Sequence, residues 1–279
     1  MKNFGKTVVV FAVTVVATMA WSSLFAQRKA VRLTRFVNEN ITGVDISGPF
    51  KVEISQGQNT SAVVEVSPDR ERDLVFDNRG GVVVVRFKKR GGNHSDINTV
   101  RVTLRQLDVL TLSGAVSVDM KTPVSANRCN IAIDGISSLR NVNLQAKEAR
   151  LDVSGTSYLE MVSFKADYAE VNICGASSTD MDMAVNSANL SASGAIRMKL
   201  SGTVDKCVIN VSGGSQVNGG LLTAAEAEVS VSGGASCRMG VKERLGASVS
   251  GGGRFVYNGS PVINSLNVSP GGYLRQGSK

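Results

Sequence analysis

Between Leu110 and Leu274, apolar and polar positions alternate in a phrase that recurs nine times. Each phrase turns on one residue: Gly114, Gly135, Gly155, Gly175, Gly194, Gly213, Gly233 and Gly251, with Pro270 in the ninth place. The steps between pivots are 21, 20, 20, 19, 19, 20, 18 and 19 residues. Four places before the pivot every residue is aliphatic, as in Leu151, Val171 and Leu190; two places before, the same holds, as in Val153, Ile173 and Ala192. The residue between them is mostly polar, so each phrase opens with a short strand that buries one face. After the glycine the alternation resumes, with Leu139, Leu159 and Met198 four places on and mostly charged residues five places on. The glycine supplies a backbone angle that a Cβ resists.

A fixed period near twenty with two strands per unit predicts an all-β fold: a parallel β-helix, or solenoid, of about nine coils over residues 110–274. Coils stack at about 4.8 Å, which turns every column into a ladder of like residues. Serine precedes the pivot in seven of nine units and is expected to pass hydrogen bonds from coil to coil. In the charged column Asp119, Arg140 and Glu160, then Asp180 and Lys199, alternate in sign. Such exposed pairs contribute only about 0–1 kcal/mol each.

Residues 28–109 lack the period and read as longer strands: Ile41 to Ser47, Phe50 to Gln56, Ser61 to Ser67, Asp73 to Asp77, Val82 to Lys88 and Val100 to Leu104. Gly-, Asn- and Pro-containing turns separate them. A solenoid end needs covering, so this section is expected to be an N-terminal β cap leading into the first coil. Residues 275–279 form a short tail, and no polar capping repeat precedes it. The last coil is therefore covered by that tail or docks a second subunit.

At the start, Lys2 and Lys6 precede the apolar run Val8 to Ala20, and Ser23-Leu24-Phe25-Ala26 offers a small residue for cleavage. This predicts a signal peptide over residues 1–26 and an exported chain with no integral membrane span after cleavage. The alternative is an uncleaved anchor over Val8 to Ala26. Cleavage takes the net charge from +8 to +6.

Three stretches together resemble a known family: Ile41-Thr-Gly-Val-Asp-Ile-Ser-Gly-Pro-Phe-Lys-Val-Glu-Ile-Ser-Gln-Gly, Val102-Thr-Leu-Arg-Gln-Leu-Asp-Val-Leu-Thr-Leu-Ser-Gly-Ala, and the serial Val-Ser-Gly units. The family is the head GIN domain of the putative auto-transporter adhesins, a domain of unknown function in exported bacterial proteins. The likeness spans residues 36–274, and the order and period of the phrases make it specific. It implies a β-solenoid fold and an exported protein of the periplasm, cell envelope or extracellular space. A self-exporting relative would add a C-terminal barrel of membrane strands. None is visible after Leu274, so export by that route is not expected.

Chemistry is sparse. The single histidine, His94, sits in a Gly-Gly-Asn-His-Ser turn with no nucleophile motif beside it. Cys129, Cys174, Cys207 and Cys237 fall too many coils apart, or in different columns, for the Cα separation of under about 7 Å that a disulfide needs. Four free thiols, mostly buried, are expected. No Cys-x-x-Cys or Cys/His pairing suggests zinc, and the aspartate of calcium-binding repeats is missing. No cofactor or metal is expected.

Asp119, Glu160, Asp180 and Asp182 come nearest to a polysaccharide-cleaving groove, although basic residues interleave the first three. Tyr158, Arg197, Arg254 and Tyr273 share one exposed column and could stack sugars. The basic run Arg86, Lys88, Lys89 and Arg90, with Arg101 and Arg105, could meet an anionic glycan or lipid headgroup; its alternative is a charged guard on an edge strand. Export argues against nucleic acid. The sequence therefore points to a non-enzymatic, adhesin-like binding or scaffold solenoid. Its candidate partner is a surface glycan or envelope component, with a homo-oligomer through a solenoid end as a further candidate. The rival is a carbohydrate-active β-helix.

Overall fold

The structure is a computed structural model and describes residues 30–89 and 98–277. The signal segment, His94 and Arg90 lie outside the described residues. Seven strands occupy the first part: β1 (Val31–Arg35), β2 (Gly43–Ser47), β3 (Lys51–Gln56), β4 (Ser61–Val66), β5 (Leu74–Arg79), β6 (Val82–Phe87) and β7 (Asn98–Leu104). Then come β8 (Val109–Ser113), β9 (Ser117–Met120), β10 (Val124–Ile133), β11 (Ser138–Val153), β12 (Tyr158–Gly175), β13 (Ser178–Gly194) and β14 (Arg197–Gly213). The chain closes with β15 (Gln216–Val231), β16 (Ser236–Val249), β17 (Arg254–Asn258), β18 (Val262–Val268) and β19 (Tyr273–Gln276). The only helical turn among the described residues is a 3-10 turn at Glu71–Asp73. None of them forms a helix long and apolar enough to cross a membrane.

The repeats stack as parallel coils in the order of the sequence. Leu151 pairs with Val171, and Val171 with Leu190, so the aliphatic columns are successive neighbours along one spine. Every pivot glycine has a positive φ, from 62° at Gly251 to 116° at Gly194. Each pivot lies against the one below: Ile136 N donates to Gly114 O at 2.7 Å and Thr156 N to Gly135 O at 2.8 Å.

The coil has a third side that the periodic reading leaves unresolved. Strands β11 to β16 each run for about one coil, and register shifts mark a second corner, as between Met161 and Phe164. Past that corner Leu144, Phe164, Met183, Val204 and Leu222 are buried. The same corner explains why Asn141 interrupts an apolar column. Asn141 is the additional residue of a bulge, with φ 57°, and Val142 takes the place opposite Met161.

The hydrogen-bonded serine ladder lies three places away from the expected column. Ser137, Ser157, Ser177 and Ser215, two places after the pivot, are buried. Their hydroxyls donate to the pivot-glycine carbonyl of the coil below, at 3.2 Å to Gly114 O, 3.4 Å to Gly135 O, 3.3 Å to Gly155 O and 3.1 Å to Gly194 O. A buried hydroxyl is tolerated because that bond is made. In the expected column Ser154 bonds Asp134 Oδ1 at 2.7 Å.

The structure divides the section assigned to a cap. Strands β2 and β3 form a coil of their own around Gly48 and pair in parallel with β8 and β9. Strands β6 and β7 form the coil beneath, paired in parallel with β2 and β3. The chain thus lays down its second coil first. Among the described residues only β5 on β6, β4 on β7 and β1 on β4 run antiparallel, and these close the end. Phe36 packs edge-on to Phe76 there at 5.1 Å.

Candidate functional site

At the first five pivots the bend turns the +1 and +3 side chains outward, as at Ile136 and Ser138, while the +2 side chain is buried. Repeated up the stack, this leaves a shallow, open axial groove between the +1 and +3 rows. Its first part is an open depression of about 450 Å³ that includes Ile136, Thr156, Ser157, Tyr158 and Ser178. A second depression, of about 320 Å³, continues it past Ile196, Arg197 and Gln216, and Ala176 lines both. The six coils from Ser117 to Gln216 give the groove a length of about 24 Å, at one strand spacing per coil.

Tyr158, Arg197, Arg254 and Tyr273 occupy one row, as the column pattern requires: Tyr158 pairs with Ser178, Ser178 with Arg197, and Arg254 with Tyr273. The structure brings the four together only in pairs. Tyr158 and Arg197, two coils apart, border the groove. Arg254 and Tyr273 lie beyond it and stack on each other, the guanidinium 4.7 Å from the ring centroid. Arg140 leans over Tyr158 at 5.0 Å. That contact separates Arg140 from the sign-alternating column, in which Lys199 and Asp180 do pair at 3.3 Å.

The basic run is split. Arg86 stands on β6, whereas Arg101 stands on β7, on another side of the coil. Exposed Lys88 and Lys89 follow Arg86. Arg101 is held between Glu53 at 3.0 Å and Glu65 at 3.1 Å, and Arg105 donates to Gln58 O at 3.3 Å. Nor is β6 an edge, since it lies between β5 and β2. The edge-guard reading is therefore corrected: Arg86 projects from the middle of a sheet.

The acidic residues are engaged one by one. Asp119 accepts from Lys121 and from Asn141, and those hydrogen bonds hold its carboxyl below the ordinary range. Asp180 pairs with Lys199, and Asp182 accepts from Ser201 Oγ at 2.9 Å. Glu160 lies beside Asp180 in register. No cluster of three or more metal-ligating side chains occurs among the described residues.

All four cysteines are free thiols; Cys129, Cys207 and Cys237 are buried and Cys174 is exposed. Burial pushes Cys129 and Cys207 up to about 12 and raises Cys237 as well. The thiolate is the reactive form, so a maleimide at mildly alkaline pH is expected to label one thiol in the folded protein and four in denaturant. Mass spectrometry should place the single label on Cys174. A second fast-labelling cysteine would show that a coil opens locally.

The stacked coils define a parallel β-solenoid. The chain belongs to the family "Putative auto-transporter adhesin, head GIN domain", whose sequence profile matches residues 40–182 and again 159–261. Two solved structures of putative adhesins are similar over 90% of this chain and 98% of theirs. They come from Parabacteroides distasonis, at 12% identity and TM-score 0.66, and Parabacteroides merdae, at 11% and 0.66. A putative lipid binding protein from Parabacteroides distasonis is similar over the same shares, at 17% identity and TM-score 0.59. These likenesses establish a shared fold. No curated protein matches the chain.

Proposed function

We propose that this is an exported, non-enzymatic envelope protein that holds an extended glycan along the axial groove. The observation that carries the reading is the pair of adjoining depressions along six coils, the first carrying the hydroxyls of Ser117, Ser138, Thr156 and Ser178 among small apolar side chains, with Tyr158 and Arg197 at the border. A linear polymer matches a surface that repeats along the coils, and the hydroxyls of Ser117, Ser138, Thr156 and Ser178 in the first depression match sugar hydroxyls. Tyr158 offers an apolar ring with a polar tip, and Arg197 a planar cation for an acidic sugar. Individual contacts are weak, and the affinity comes from repetition along the chain. Membership of an adhesin-type family and the Lys2, Lys6 and Val8 to Ala20 leader support location in the periplasm or at the cell surface.

The test is a screen of immobilised envelope polysaccharides followed by calorimetry on each hit. Tyr158→Ala and Arg197→Ala are each expected to weaken binding about tenfold, the effect of losing one anchor of about 1.4 kcal/mol. Tyr273→Ala, outside the groove, should leave it unchanged. Absence of binding to every polysaccharide, or equal binding by Tyr158→Ala, would overturn the proposal. Product release from any bound glycan would revive the enzymatic reading.

A further inference from the structure

The two ends of the stack are finished differently. At the first end, antiparallel strands seal the coils, and charged side chains guard their free edges. Arg35 donates to the main-chain carbonyl of Phe76 at 2.8 Å, blocking part of β5, and Arg32 pairs with Glu65 at 3.8 Å. At the last end no strand among the described residues lies over β18 or β19. Among the described residues β18 pairs with β16 alone, and β19 with β17 alone.

Strand β18 reads Val-Ile-Asn-Ser-Leu-Asn-Val, with no charge and no proline, and every residue is exposed. Leu266 and Val268 continue the inner columns of Ala247 and Val249, yet they are 48% and 46% exposed where their predecessors are 5% and 0%. Ile263 likewise continues the buried Leu245. The end therefore presents both an unpaired row of main-chain donors and acceptors and an uncovered slice of core. Natural sheets blunt such edges with charge, proline or a covering segment.

We propose that β18 pairs with β18 of a second copy of this chain, forming a two-fold, end-to-end dimer that joins two solenoids at their last coils. The other end of a second copy is the poorer partner. Its edges carry Arg32, Arg35, Asp77 and Arg79, which would face an uncharged strand. A two-fold contact instead sets identical uncharged strands antiparallel, with Ser265 at the centre and Leu266 and Val268 covered from both sides. It also closes, whereas a head-to-tail contact propagates. Two grooves on one dimer would then present a glycan-binding surface twice, although dimerisation itself does not depend on the glycan reading.

Sedimentation equilibrium of the purified protein from micromolar to high micromolar concentration should give the mass of two chains. Leu266→Lys should reduce that mass to one chain, and Arg32→Glu at the far end should leave it at two. In a Cys174→Ser background, Ser265→Cys should yield an oxidised two-chain product. This arm decides the matter even if Leu266→Lys fails to fold. A single-chain mass throughout, or failure of Ser265→Cys to cross-link, would overturn the proposal. So would a mass that climbs beyond two with concentration, which is the signature of head-to-tail stacking.

Discussion

Gly135→Ala is expected to lower the unfolding free energy by about 3 kcal/mol or more, a large share of what a domain usually possesses. Two independent penalties combine. The residue holds φ at 88°, and an L side chain in this region stores about 1–3 kcal/mol. A Cβ built there would also sit 2.6 Å from Gly114 O and 2.8 Å from Gly114 N, both backbone atoms of the coil below. Neither atom can move alone, since Gly114 O already accepts from Ile136 N and Ser137 Oγ. Separating the two coils would break that ladder locally. Gly80→Ala provides the comparison: φ is 61° but nothing lies within 4 Å of the added carbon. Only the strain remains there, and the loss should be about 1 kcal/mol. Urea unfolding of both variants followed by circular dichroism measures the difference, and equal losses would refute close stacking of the pivots.

The stacked repeats were legible because selection of side chains by column is local and periodic: Leu151, Val171 and Leu190 differ in identity but share one place. The row of Tyr158, Arg197, Arg254 and Tyr273 could be placed for the same reason. The groove beside them could not, because it arises from the turn backbone and from which of +1, +2 and +3 points inward. The +2 serines in particular carry no sequence signal of their burial. By hydropathy they belong outside, and only the glycine carbonyl of the neighbouring coil makes them acceptable inside. Thr179, in an apolar column, is the contrasting case: it is buried with its Oγ1 unpartnered, so no bond offsets its burial. The threading of β6 and β7 beneath β2 and β3 was illegible for a different reason. Strands β4 and β5 intervene in sequence, so the period is lost and the pairing partners are remote. The free edge at β18 shows in the sequence as an absence of charge, yet its meaning depends on knowing that β19 and the other described strands leave it uncovered.

Phe164→Ala should remove about 3–5 kcal/mol and, in addition, split the unfolding transition. Phe164 is fully buried on the third side of its coil, in register between Leu144 and Met183. The next residue in that column, opposite Met183, is Gly202, which has no side chain to move into a vacancy. The backbone on either side is fixed by parallel pairing, so the cavity has little means of collapsing. In a globular core such a loss spreads over many neighbours. In a solenoid each coil touches only the coils above and below, so a defect midway weakens the one interface that couples the two halves. Calorimetry of the wild-type protein should show one cooperative transition, and Phe164→Ala should show two. Leu221→Ala, at a residue 76% exposed, should change neither midpoint nor shape. A single shifted transition for Phe164→Ala would mean that coupling reaches beyond nearest coils, through the continuous main-chain ladders and not through packing alone.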